Sequence, residues 1–325
     1  MSRRVQRLAL VAAVLMAGLG LHRFWKRELS HLTGRAKWIW VTDALENLRP
    51  AGGLFVGDIH LDAPPSSALL KVCGDREYVV YVNGTAAACG WSRPGFRLDL
   101  YDVGHLLRQG ENVIAVEVRS PTPVGGLLLA LDVDNEGRNV LTSGRSFVSR
   151  SRFDLGPPGA GDQPVAIVWG SPPRYPWGYP SPQPYPRTLD EVVVEDPIRV
   201  EASSAAEASG GGWRFDLPRP VFGYLWVEFR DDGAAFVTSS EERESLDDGQ
   251  ARDSSEPVFR LAGQQRWLDP EPKRIARVWV FGRAVPVAVE VWPVPEEFRL
   301  SAPGVVPGMH GPERPTRWTI RTHPG

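Results

Sequence analysis

Between residues 74 and 102 the chain reads GDREYVVYVNGTAAACGWSRPGFRLDLYD, and this stretch carries one aromatic ring and three planar polar side chains. Trp91 offers a flat apolar face, while Asp75, Asn83 and Arg93 offer a carboxylate, an amide and a guanidinium. Such a set suits non-covalent recognition of a pyranose ring, whose apolar side lies on an aromatic face while its hydroxyls meet planar donors and acceptors. Each residue also has a plainer use, Trp91 as a core plug under a sheet edge and Asn83 as the residue of a turn at positive φ. Covalent chemistry finds less support. The six histidines, His22, His31, His60, His105, His310 and His323, fall in no H-x-H or H-x-x-x-H spacing that would set two ligands on one face. There is no Gly-x-Ser-x-Gly elbow, phosphate-cradling glycine loop or dinucleotide fingerprint. Carboxylates are abundant enough to pair by chance, as Asp75 with Glu77 or Glu241 with Glu242, and Asp102 is placed to cap the turn that follows it. The residues read as those of a binder and not of an enzyme.

The elements that must position them are strands. EYVVYV at 77–82, the Asn83-Gly84 turn and a return strand over 86–91 make the strongest hairpin in the chain. An aromatic strand precedes it at 35–40, with others at 54–61 and 68–73; strands follow at 96–100, 112–119 and 126–133, with one short helical turn within 101–110. Many short strands punctuated by glycine and proline predict a β-sandwich over residues 31–154. Residues 155–187 contain PPRYPWGYP, whose missing donors suit extended polyproline geometry. They are expected as a semi-rigid connection, its aromatic rings docked on a neighbouring domain or stacked on a sugar. A second sandwich is expected over 188–298, with strands at 191–195, 198–201, 213–217, 221–229, 234–239, 258–261, 275–281 and 286–292. The acidic run EERESLDDGQARDSSE reads as a solvated loop, and 299–325 as an irregular tail. The fold class is all-β, with two β-sandwich domains.

Composition narrows the partners. A chain of 325 residues has room for about two domains, and a formal net charge of -2 gives no electrostatic case for nucleic acid. Residues 1–30 begin with the basic run SRRVQR, and an uncharged apolar run over 8–21 follows. This is the anatomy of a signal peptide or a short membrane anchor, and it places the rest of the chain in the periplasm, at the cell surface or on the outer side of a membrane. In such a compartment Cys73 and Cys89 are either a disulfide or two small apolar side chains, and two cysteines without a ligand-spaced pair make no metal site.

Three runs resemble one family. GDREYVVYVNG, RPG at 93–95 and YDVGHLLRQGENVIAVEV at 101–118 resemble, in order and spacing, the N-terminal carbohydrate-binding-like β-sandwich of bacterial α-L-rhamnosidases, a jelly roll related to the sugar-binding domain of β-galactosidases. The likeness covers about residues 36–134. FDLPRPVFGYLWVEF at 215–229 and FRLAGQQRWLDPEPKRIARVWVF at 259–281 are similar to the β-sandwich that follows in such glycosidases. The resemblance implies jelly-roll-like accessory domains without the catalytic (α/α) barrel, because no run of amphipathic helices accompanies them. It implies a glycan or polysaccharide as partner, with an envelope protein or a separately encoded catalytic chain as alternatives. No cofactor is expected; a structural calcium ion held by Asp132 and Asp134 is the one metal the resemblance suggests.

Overall fold

The structure, a computed structural model, describes residues 10, 13–21, 32–42, 51–91, 96–134, 137–151, 165–182, 196–209, 211–261 and 263–294. Among them the protein is all-β, with sheets of seven, five and eight strands. EYVVYV is apolar at every position after its glutamate, the pattern of a strand covered on both faces. Glu77–Val82 lies inside the five-stranded sheet, between Gly110–Ser120 and Thr85–Trp91. Tyr78, Val80 and Val82 share a core with Phe55, Leu70, Val116 and Leu129, and so face the seven-stranded sheet. Val79 and Tyr81 point the other way, into a second apolar layer with Leu54, Tyr224, Trp226 and Trp292. The five-stranded sheet is therefore the middle of three layers.

Polar groups fasten the third layer to the second. Trp267 Nε1 donates to Glu117 at 2.8 Å, and the Leu268 N–H donates to the Tyr81 hydroxyl at 3.2 Å. Glu117 is 0% exposed and accepts two further bonds from Arg119, at 3.2 and 3.1 Å. Arg119 also reaches Asp269 at 3.3 Å, and Lys273 completes the row by donating to Asp269 at 2.8 Å. Burial pushes the Glu117 carboxyl up to about 7 against the pull of Arg119 and Trp267. Burial acts on Asp269 in the same sense, yet Lys273 and Arg119 hold it below the ordinary carboxylate range.

The seven-stranded sheet runs in the order Ile167–Gly170, Trp38–Trp40, Leu127–Val133, Ala68–Gly74, Arg97–Asp102, Ser181–Pro182, with Gly137–Thr142 paired to Leu127–Val133. Its two edge strands flank the proline-rich stretch, so the chain leaves one edge and returns at the other. The five steps between them span about 24 Å at ordinary strand spacing, and residues 171–180 reach about 35 Å when extended. The slack is taken up in a turn where Gly178 N–H donates to the Arg174 carbonyl at 2.7 Å. Trp177 is buried under this strap and stacks on Trp38 at 4.7 Å and 23°, beside Cys73, Leu98 and Leu128. A Cβ on Gly126 would lie 2.8 Å from the Trp177 ring and 2.9 Å from Trp38, so the indole pair requires glycine there. In its described part, the stretch expected to connect two domains is thus a strap over the first sandwich. Proline keeps it out of the ladder, while burial of Trp177 holds it down.

In the third layer, the strands expected at 213–217 and 221–229 are one strand, Gly212–Phe229. Pro218 and Pro220 sit where its register against Lys273–Gly282 shifts, so no ladder bond is asked of them. Beyond the shift the strand pairs with Pro286–Pro293 and Arg266–Leu268, and the sheet wraps a core that includes Phe215, Leu225, Val227, Trp267 and Val289. The acidic run is not wholly loop. It contains the helix Asp248–Asp253, begun by a capping box between Asp247 and Gln250 and seated on buried Ala251. Near position 258 the strand is only Glu256–Pro257.

Cys73 is buried, Cys89 is half-buried, and both are free thiols. Residues 13–21 are helical and exposed. No described helix is long and apolar enough to cross a membrane. The expected strand at 191–195 and the tail at 299–325 lie outside the described residues.

Candidate functional site

Of the hairpin residues, Asn83 and Asp75 stand at opposite ends of one strand. Asn83 sits at the turn with φ 51°, and its amide is fully used inside the sandwich. Nδ2 donates to the Leu106 carbonyl and to Asn112 Oδ1, both at 2.9 Å, and Oδ1 accepts from Val113 N–H at 3.0 Å. Asn112 is buried and holds the Arg108–Gly110 turn through bonds of its own. The VNG and GEN runs are thereby explained as two halves of one structural knot. Asp75 lies past the opposite end of Glu77–Val82, a strand that spans about 17 Å. Its backbone N–H donates to Gly126 at 2.8 Å, and burial pushes its carboxyl up to about 6 while the Trp177 indole and Arg76 pull the other way. That indole nitrogen is buried and completes no hydrogen bond of ordinary geometry. The Trp91 backbone pairs opposite Glu77, placing it at the Asp75 end, while its side chain and Arg93 fall outside the described residues.

Asp132 and Asp134 do not fit a calcium site. The Lys71 ammonium lies 2.7 Å from Asp132, which also accepts from Asn139 N–H at 2.8 Å, and Ser67 donates to Asp134. Among the described residues no group of three or more His, Cys, Asp or Glu is placed to hold a metal ion. Asp102 caps as its sequence position suggests, accepting from Gly104 N–H at 3.1 Å.

Both broad faces of the first sandwich are covered, one by the third sheet and the other by the strap. Among the described residues, one groove of about 520 Å³ opens at the strap's margin, between residues 33–37, 142–146 and 171–179. Each wall is anchored from below. Lys37 N–H donates to the Ser143 carbonyl at 2.8 Å, and Ser143 Oγ returns a bond to the Lys37 carbonyl at 2.7 Å, locking the first two walls together. Between Arg35 and Lys37, Ala36 points into the core at 1% exposure, so the two cations flank it on the outside. Gly34 turns at φ +57°, and a Cβ there would meet the Asn139 amide at 2.5 Å. Phe147, just past the second wall, is buried in the main core. The third wall hangs from Trp177, which leaves Tyr179 43% exposed at the groove and Tyr175 92% exposed on the turn.

The lining sets cations beside hydroxyls and a tyrosine. Arg35, Lys37 and Arg145 are exposed, and none of the three lies in an ion pair among the described residues. Ser146 and Ser171 present hydroxyls. No described lining residue is Asp, Glu or His, so the described lining holds no carboxylate pair of the kind glycoside hydrolysis uses. The carboxyls that burial raises to about 7, Glu77 and Glu117, stand instead in the charged row at the interlayer contact. The sequence held one sign of this groove in Arg-Ala-Lys at 35–37, where alternation sends both charges to one side. Its other walls are more than a hundred residues away.

No family model matches the sequence, and no curated protein matches it. Among solved structures, the α-L-rhamnosidase of Dictyoglumus thermophilum is similar over 80% of this chain and 36% of its own, at 14% identity and a TM-score of 0.47. The Aspergillus terreus α-L-rhamnosidase is similar over 80% and 36%, at 19% identity and 0.44. A lectin from Pleurotus ostreatus, solved with GalNAc, is similar over 81% of this chain and 80% of its own, at 15% identity and 0.37. The chain spans about a third of the length of these two rhamnosidases. All three scores lie below 0.5, so the reading of the site rests on its own residues.

Proposed function

We propose that this protein is a non-catalytic carbohydrate-binding module acting outside the cytoplasm. The observation that carries the proposal is the groove at the strap's margin, where exposed Tyr179 stands among hydroxyls and cations with no carboxylate among the described lining residues. An aromatic face and hydroxyl partners on a rigid frame are what a sugar ring needs, and the absence of described acids in the lining favours holding the ring over cleaving it. The resemblance of the VNG and YDV runs to sugar-binding jelly rolls points the same way. The basic leader and the apolar run over 8–21 support export, which fractionation of expressing cells tests directly. A shallow groove of this kind binds at millimolar to micromolar strength, about −4 to −8 kcal/mol.

Titration of the full chain against a panel of galactose-, rhamnose- and uronate-containing glycans is expected to find binding that Tyr179→Ala weakens at least about tenfold. Absence of binding to the whole panel, or binding indifferent to Tyr179, removes the proposal. Tyr175, fully presented on the turn, supports a second reading in which the strap docks on an envelope protein; co-purification of a partner lost on Tyr175→Ala would favour it.

A further inference from the structure

We infer that the groove selects acidic polysaccharides, specifically chains whose pyranose rings carry carboxylates. The inference rests on the glycan-binding reading of this groove and adds the charge of the ligand. Several cations elsewhere in the protein are held by carboxylates: Lys71 by Asp132, Arg119 by Glu117 and Asp269, Arg199 by Glu201, Glu228 and Glu290, Arg266 by Glu290, Arg277 by Asp216. In a chain of net charge -2, three exposed cations on the walls of one groove, with no acidic lining residue among those described, are a local reversal of sign. Two of them lie on one wall and one on the other, and the reciprocal bonds between Lys37 and Ser143 fix the separation of those walls. The arrangement is a preformed cradle, which meets an anion without first breaking an ion pair.

The chemistry of the lining decides among anions. A bare phosphate needs only the cations, whereas Tyr179 on the facing wall supplies a flat apolar surface that a sugar ring uses and a free anion does not. Arg35 and Arg145 are guanidinium groups able to grip a carboxylate through two parallel N–H bonds, and Lys37 adds a point charge. Ser146 and Ser171 are left for ring hydroxyls. A polyuronate presents carboxylate, ring face and hydroxyls on each unit, and so engages all three kinds of group together.

The test is calorimetric titration of the full chain with polygalacturonate, its methyl ester, a neutral galactan and polyglutamate. Polygalacturonate is expected to bind at least about tenfold more tightly than its methyl ester, with affinity falling as salt rises. Arg35→Gln, Lys37→Gln and Arg145→Gln are surface changes that leave thermal unfolding in place, and each is expected to remove most of that preference while weakening galactan little. Equal binding of the acid, the ester and galactan overturns the inference and leaves the glycan reading standing. Binding of polyglutamate as tight as polygalacturonate, insensitive to Tyr179→Ala, overturns it in favour of a general polyanion site. No binding to any of the four defeats the inference, and failure on a broader neutral panel defeats the glycan reading as well.

Discussion

Among the polar bonds that join the second and third layers is a buried one from Trp267 Nε1 to Glu117. Glu117→Ala leaves that indole N–H in an apolar layer without an acceptor, at about 1–3 kcal/mol. It also takes the carboxylate from Arg119, which keeps Asp269 at 3.3 Å and is 23% exposed, and so is not stranded. Breaking a fully buried pair costs about 3–5 kcal/mol; with Arg119 still partnered, the expected loss is about 2–4 kcal/mol. Trp267→Phe keeps most of the ring in the core it shares with Leu225 and Val289 and removes only the donor, at about 1–2 kcal/mol. Because both changes delete the same bond, the double variant should cost about 1–2 kcal/mol less than the sum of the single ones. Urea unfolding near pH 8, followed by tryptophan fluorescence and far-ultraviolet dichroism together, measures each term. The two signals should coincide in the parent protein, since apolar side chains and this bond join the layers into one unit. Additivity of the two variants within about 0.3 kcal/mol would refute the coupling, and separate transitions in the parent would refute the single unit.

Other outcomes follow from the same contacts. Burial raises Glu77 and Glu117 to about 7 and Asp75 to about 6. A carboxyl whose folded pKa is raised contributes most when protonated and loses that contribution as pH rises from about 4 to about 7. The Tm should therefore be higher at about pH 5.5 than at pH 8, and should fall again below about pH 4 as Asp269 and Asp248, both held low, lose their partners; a flat Tm between about pH 5.5 and 8 would contradict this. Asn83→Ala removes three hydrogen bonds and places alanine at φ 51°. It should cost about 2–4 kcal/mol in urea unfolding without altering glycan affinity in the folded fraction. Trp177→Ala opens the strap over Trp38 and should cost about 3–5 kcal/mol, lowering glycan binding through Tyr179 although Trp177 lies beneath the groove; unchanged affinity in calorimetry would separate the strap from the site.

Local signals in the sequence are legible where the chain contacts itself nearby. Glu77–Val82 and Ile198–Glu201 have the expected bounds, and Gly104–Leu106 supplies the expected short turn. The middle layer was legible in principle, because a run apolar on both faces needs cover on both faces, but the covering strands lie beyond residue 220. The helix at Asp248–Asp253 was hidden by its charge, and only the capping pair Asp247 and Gln250 announced it. The groove was least legible. Its walls come from three distant segments, whereas Asp75 and Asn83, close in sequence, stand at opposite ends of one strand.

The strap explains why the groove lies at a margin and not on a face. A β-sandwich has two broad faces and several edges, and an uncovered face or edge invites pairing or aggregation. Here the third sheet occupies one face, and the chain closes the other by running from Gly170 at one edge of the seven-stranded sheet to Ser181 at the opposite edge. Proline makes that crossing possible because a strap with four of its ten N–H groups removed is not readily drawn into the ladder beneath it. One buried indole then fixes its height, since Trp177 seats against Trp38 only where Gly126 leaves room for the two indoles. With the height fixed, the side chains on either side of Trp177 stay outside, and Tyr179 is held facing the cations of 35–37 and 145. The device that closes the sandwich is the same one that raises a groove wall, so the proline-rich stretch serves fold and site through a single buried residue.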